Sequence, residues 1–318
     1  MSRQPADTQT PLLDPSFAEP EALAQVLEAH KDYRVLRRLQ PRTDFGRKPR
    51  GADVVKVAIL DTETTGLDTV KDQIIELALI LVDVDAQTGL PLKVTHVFDE
   101  LEDPGRPIPA EAGRVTGITD EMVAGKRLDD DKILDLIAGV GLVIAHNARF
   151  DRAFVERRLP AFVALPWACS VSEIDWSAEG RGSAKLEFLA HEMGWFYDAH
   201  RAEMDCHALL AVLAEPLPVS GMTGLKRLLD GAAQTRYRVF ATGSPFDSKD
   251  ALRARGYRWD ADRKVWHTTV SGTDEIEAEA QWLKQSVYKG RSATIDLEAV
   301  TARERFSVRP GQVSQRAI

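Results

Sequence analysis

Val54-Val55-Lys56-Val57-Ala58-Ile59-Leu60-Asp61-Thr62-Glu63-Thr64-Thr65-Gly66 decides how the rest of the chain is read. Its first seven residues are apolar or β-branched apart from Lys56, the composition of a strand buried on both faces. Two carboxylates follow at i and i+2, so Asp61 and Glu63 leave the strand end on one face. Paired oxygen donors of this kind suit a hard divalent cation such as Mg²⁺. Gly66 permits a sharp turn that brings backbone N–H groups close to whatever is bound there. Taken alone, the same residues also describe a solvated strand end, because short acidic motifs recur by chance.

Working outward, further strands are expected over about 74–84 and 92–98, with Asp85, Gly89 and Pro91 in the turn between them. Short strands near 142–145 and 163–169 then alternate with helices near 130–138, 149–159, 184–193 and 202–213. Strands first and alternation afterwards predict an α/β sandwich with a mixed sheet. Pro216 and Pro218 close this unit, residues 54–216, and 217–234 reads as a connecting helix. Residues 235–290 read as a small α+β domain: a strand over 237–241, a helix over 247–255 stopped by Gly256, a hairpin over 257–270 and an acidic-starting helix over 273–287. Upstream, 1–18 has the composition of a disordered leader, and 19–53 reads as a basic helix to about residue 39 followed by a linker. Residues 291–318 read as a weakly patterned tail.

The composition narrows the function classes. A chain of 318 residues that is 44% hydrophobic has room for about two domains and is no disordered polymer. Two cysteines, Cys169 and Cys206, exclude a disulfide framework and suit a reducing compartment. Neither a membrane span nor a signal peptide is visible, so a soluble, cytoplasmic protein without membrane contact is expected. The net charge of −8 is uneven: residues 235–318 hold 15 Lys or Arg against 11 Asp or Glu. Residues 30–50 hold eight basic side chains against Asp32 and Asp44. An acidic body between basic flanks is compatible with a metal site and polyanion-binding edges.

Two more clusters carry chemistry. His146-Asn147-Ala148-Arg149-Phe150-Asp151 follows the strand near 142–145, with Asn147 placed to cap a helix and Asp151 in its first turn. His200-Arg201-Ala202-Glu203-Met204-Asp205 opens the helix near 202–213. Five helical residues rotate by about 140°, so His200 and Asp205 converge only if His200 lies before the helix and Asp205 points inward.

Together the three clusters resemble the DEDDh subgroup of DnaQ-like 3′→5′ exonucleases, the family of the proofreading ε subunit of DNA polymerase III. The family's DxE, NxxFD and HxAxxD motifs are all present and in order, with Pro107-Ile108-Pro109 and Thr116-Gly117-Ile118-Thr119 as supporting matches. The resemblance spans about residues 54–214. It implies an RNase H-like fold, a mixed five-stranded sheet flanked by helices, and hydrolysis of phosphodiester bonds at 3′ ends to nucleoside 5′-monophosphates. It further implies two divalent cations, Mg²⁺ or Mn²⁺, held by Asp61, Glu63, Asp151 and Asp205, with Asp61 shared between them and His200 as general base. Thr64 by its backbone, Leu67 as an apolar wedge and Phe150 would line the pocket for the terminal nucleotide. The alternative for Leu67 and Phe150 is core packing, which for Phe150 stands level with the pocket role. The implied partners are single-stranded DNA 3′ ends and replication or repair proteins. RNA ends stay open as substrate, as does a catalytically idle nucleic-acid-binding role.

The segment from Lys249 to Trp266 weakly resembles a small uncharacterised domain appended to nucleic-acid enzymes. Its Arg253, Arg255, Arg258 and Lys264 are candidates for phosphate contact, whereas Trp259 and Trp266 are expected in the small domain's core.

Overall fold

The computed structural model describes residues 19–50 and 53–318, so the leader expected at 1–18 lies outside the described residues. The helix expected to run to residue 39 stops early: α1 spans Pro20–Glu28 and buries no side chain. The chain turns back, and Arg37 pairs with both Glu21 (2.8 Å) and Glu28 (2.6 Å) on that helix. Arg37–Arg38 form a short strand, β1, parallel to Trp195–Phe196. Leu39 and Phe45 anchor the rest of this segment in the main core. Several of the basic residues of 30–50 are thus structural ties.

The stretch that opened the sequence reading is β2 (Val54–Thr64), which pairs antiparallel with β3 (Ile74–Asp85), itself antiparallel to β4 (Pro91–Leu101). Three helices follow, α2 (Ala110–Thr116), α3 (Asp120–Val123) and α4 (Asp130–Ile137). Next, β5 (Leu142–Ala145) runs parallel to β2, α5 (Ala148–Arg158) crosses back, and β6 (Trp167–Cys169) runs parallel to β5. The sheet order is β4-β3-β2-β5-β6, the RNase H-like arrangement. The strand expected from residue 163 is shorter, because Pro160 starts a 3₁₀ turn over Pro160–Ala164. Beyond it lie α6 (Ser170–Glu173), α7 (Leu186–Glu192), β7 (Trp195–Phe196), α8 (Ala202–Ala214) and α9 (Gly224–Ala233).

Alternation along β2 divides the core into two layers. Val57 and Ile59 pack with the apolar residues of α7, α8 and α9. Ala58 and Leu60 pack on the opposite face with Ile133, Phe154 and Val155 from α4 and α5. Each fully buried aliphatic side chain contributes about 1.5–3 kcal/mol of transfer free energy. The helix at α9 is part of this packing, with Leu225 and Leu228 buried in the first layer. The ends of β2 and β5 meet where the strand order reverses, the place where open α/β sheets leave a crevice.

The C-terminal domain is a second, antiparallel sheet. It comprises β8 (Arg236–Phe240), α10 (Lys249–Ala254), β9 (Arg258–Asp260), β10 (Val265–Ser271) and α11 (Gly272–Trp282), then β11 (Thr294–Val300) and β12 (Gln312–Ala317). Its strand order is β12-β11-β8-β10-β9. Residues 291–318, expected as a tail, therefore supply two of its five strands. Their pattern is weak because β12 is a largely exposed edge and β11 buries the charged Glu298 next to Leu297. Helices α10 and α11 cover one face, where Val239, Leu252, Tyr257, Ile276 and Leu297 form the core. Trp259 is not a core residue: it is 51% exposed on edge strand β9, edge-on to the partly buried Trp266 at 5.6 Å. Among the described residues no helix is long and apolar enough to cross a membrane.

Candidate active site

The crevice at the end of β2 holds the three motifs. Asp61 and Glu63 come from β2 on the α8 side, and Asp205 rises from the first turn of α8. One carboxylate oxygen from each lies within 4.8 Å of the other two. Asp151, from the first turn of α5, lines the same cleft from the other face of the sheet. Its Oδ1 accepts the Thr62 hydroxyl at 2.9 Å, so the residue between the two strand carboxylates orients the one across the strand.

His200 precedes α8 in a left-handed conformation (φ 64°), and its backbone N–H donates to Asp205 Oδ2 at 2.8 Å. This places His200 in the loop with Asp205 pointing inward, and both side chains line the cleft. Leu67 is 84% exposed at the rim, which excludes a core role for it. Phe150 lines the cleft while packing on Phe154 at 4.9 Å between ring centres, and so serves both surfaces. Thr64 turns its hydroxyl to the Gly66 carbonyl (2.6 Å) and offers the cleft no side chain. Gly66 is needed for a different reason from backbone freedom: a Cβ there would stand 2.5 Å from the Asp72 carboxylate.

Two residues, Tyr197 and Glu76, escaped the sequence reading, and it gives a third, His146, no role. Tyr197 donates its hydroxyl to Asp205 Oδ1 at 2.9 Å. His146 lines the cleft with Nδ1 2.8 Å from Ser170 Oγ, and burial pushes its pKa down to about 4, so the ring is neutral. Glu76, opposite Glu63 on β3, is buried and accepts from the Ala202 N–H (2.9 Å) and the Arg201 guanidinium (2.8 Å). It thereby ties the start of α8 to the sheet. The one available signal was a charge inside the apolar run Ile74-Ile75-Glu76-Leu77-Ala78, which demands a partner.

The electrostatics are those of crowded carboxylates. Burial, with the charges of Asp151, Asp205 and Glu63, raises Asp61 well above the usual carboxylate range. Burial followed by Asp205 and Glu76 pushes Glu63 up to about 8. Asp151 is pushed up to about 7 by burial, against the lowering effect of the Thr62 hydroxyl. Burial also raises Asp205, opposed by its bonds from Tyr197 and His200. Such an all-oxygen set with little internal compensation fits hard divalent cations.

Similarity to known proteins agrees with this geometry. The exonuclease (RNase T) family model matches residues 58–213. The ε subunit of DNA polymerase III from Treponema pallidum is 32% identical over 166 residues, covering 49% of this chain and 74% of that protein. The chain belongs to the DnaQ-like RNase T/exonuclease family. The PolC-type DNA polymerase III of Lacticaseibacillus paracasei is 31% identical over 194 residues, 58% of this exonuclease chain but only 13% of the polymerase. The chain thus spans a small fraction of the PolC-type relatives it matches. A solved structure titled exonuclease X in complex with 5′ overhanging duplex DNA aligns at 26% identity and a TM-score of 0.40, covering 55% of this chain and 98% of that one.

Proposed function

We propose that this chain is a metal-dependent 3′→5′ exonuclease that releases nucleoside 5′-monophosphates from single-stranded DNA ends. The observation that carries the reading is the convergence of Asp61, Glu63 and Asp205 within 4.8 Å, with Asp151 and His200 lining the same cleft. Asp61, Glu63 and Asp205 would hold one divalent cation, and Asp151 with Asp61 a second, either Mg²⁺ or Mn²⁺. Bound cations supply Lewis-acid stabilisation of the attacked phosphate and of the departing 3′ oxygen.

The chain's own groups do the rest. His200 takes the proton of the attacking water at a ring nitrogen, and its position before α8 is held by its N–H bond to Asp205. Leu67 meets the terminal base as an exposed apolar wedge, and Phe150 closes the sugar side. Tyr197 and Glu76 hold Asp205 and the α8 start in place, as partners beyond the ligand set usually do. The test is full-length protein with a 5′-labelled single strand, with Mg²⁺, with Mn²⁺ and with chelator. Metal-dependent shortening from the 3′ end, with mononucleotide product, is expected. Absence of shortening with either metal overturns the reading, and faster loss of a matched RNA strand moves the substrate to RNA.

A further inference from the structure

Beside the acidic cleft lies a second one of about 680 Å³, between the two domains. Asn147 lines both, so the two adjoin there. One wall comes from the catalytic domain and includes Arg149. The other is the face of the C-terminal sheet that no helix covers. Register fixes which side chains point there: Arg238 of β8 stands opposite Glu298 of β11, on the face away from Val239 and Leu297.

The charges in this cleft are arranged asymmetrically. Glu298, 1% exposed, accepts from both Arg238 (3.1 Å) and Arg263 (3.3 Å), which are 38% and 42% exposed. Glu173 is likewise shared by Arg236 (2.9 Å) and Arg305 (2.8 Å). One buried carboxylate behind two guanidinium groups leaves a positive charge, and the solvent-facing groups are Arg236, Arg238 and Arg263, while Arg305 is buried. Arg149 on the opposite wall has no ion pair or hydrogen bond to its guanidinium among the described residues. Of the acidic lining, Asp260 accepts two N–H groups of its own turn and Glu304 accepts from Thr301, which leaves Asp262, exposed in the β9–β10 turn, as the carboxylate facing solvent.

The two walls are also fixed to each other. Fully buried Arg152 of α5 donates to the carbonyls of Ala302, Arg303 and Arg305, and the Trp167 N–H donates to the Ala302 carbonyl at 2.8 Å. A preformed cleft orders little when a ligand enters. Of the arginines singled out from the sequence, Arg255 is paired with Glu279 at 3.1 Å and Arg253 stacks on Trp266 on the helix-covered face, whereas Arg258, opposite His267, points to the uncovered face but does not line this cleft.

We propose that this interdomain cleft carries the sugar-phosphate backbone of a single strand upstream of its 3′-terminal nucleotide, with Arg149 on one wall and Arg238 and Arg263 on the other contacting phosphates. Guanidinium forks match phosphate oxygens, and each contact releases counterions and so weakens with salt. The proposal rests on the exonuclease reading for the direction of the strand.

The experiment uses the full chain and an Arg149→Ala/Arg263→Ala variant, which keeps Arg238 on Glu298. Binding of a long single-stranded oligonucleotide is measured in EDTA over a salt series, and turnover of a dinucleotide is measured with Mg²⁺. Affinity should fall about tenfold at low salt, and the slope of log affinity against log salt should become shallower by about 1.4, two contacts' worth on a single strand. Dinucleotide turnover should not change. Arg149→Ala alone, which breaks no contact, should give half the slope change. An unchanged slope in both variants overturns the proposal, and so does an equal loss on the dinucleotide. A control, Arg253→Ala/Trp259→Ala, should bind as the wild type does; weakened binding there alone would place the strand on the other face and also overturn it. If the wild type fails on the dinucleotide, the exonuclease reading falls instead, while the EDTA binding series still judges the cleft.

Discussion

Two regions of this molecule gather carboxylates away from bulk water and handle them in opposite ways. At the domain junction, Glu173 and Glu298 each meet two arginines. At the end of β2, Asp61, Glu63 and Asp205 face one another, and Asp151 has a hydroxyl as its side-chain partner. Compensated charges tie structure together, whereas uncompensated ones hold mutual repulsion that a cation relieves. Glu76 marks the border: it sits beside the acidic group, yet Arg201 makes it a structural residue.

The strongest test of the contrast is Asp61→Ala. Turnover should fall on the order of a thousandfold or more, equivalent to about 4 kcal/mol of barrier. Metal-free stability should hold or rise, because a repelling carboxylate is removed. A thermal melt in EDTA beside the single-strand assay checks both, and near-wild-type turnover in a folded variant would reassign the ligand. The reverse is expected at the junction. Arg152→Ala leaves Glu156 with Arg309 alone (2.8 Å) and strips the buried carbonyls of Ala302, Arg303 and Arg305, the strap that joins the two domains, of their donor, so stability should drop by about 2–3 kcal/mol. Urea unfolding measures it, and an unchanged midpoint would mean that the strap is held otherwise.

The acidic group also sets a pH dependence. Glu63 titrates near 8 and Asp151 near 7 in the folded protein, above their unfolded values near 4. The folded state therefore binds more protons across this window. Metal-free stability is fully present below about pH 4 and declines as pH rises toward 8. Cations displace the same protons, so apparent Mg²⁺ affinity should rise about tenfold per pH unit for each proton displaced between pH 6 and 8. Calorimetric titration at several pH values checks this, and a flat affinity would mean that the carboxylates are already ionised. The smallest effect belongs to Tyr197→Phe, which removes one hydrogen bond to Asp205. A loss of about 1 kcal/mol, near fivefold in metal affinity, is expected with little change in melting temperature.

Legibility followed the range of the interactions. The ends of β2, β3 and β5 read closely from composition, and the three motifs read from residue type and order. The early end of α1 did not, because the segment after it is taken up by distant partners, Arg37–Arg38 pairing with Trp195–Phe196 and Leu39 entering the core. The strand at 312–317 was missed because an edge strand buries too little to show alternation, and the interior one at 294–300 because it buries the charged Glu298 next to Leu297. Glu76 and Tyr197 belong to no contiguous motif, and Glu76 meets α8 only across 126 positions of sequence.

By itself, then, the sequence determined the family, the buried strand that starts the sheet and the identity of the acidic side chains. These depend on local periodicity and on residues whose chemistry has few other uses in that order. Tertiary structure alone decided which charges are compensated. Arg152, Arg201, Arg238 and Arg263 look alike as letters, and only folding sets which of them backs a strap, fixes a helix start or faces an open cleft. The physical reason is that a guanidinium's role depends on the distance to its carboxylate and on the water left around both, and neither quantity exists before the chain is packed.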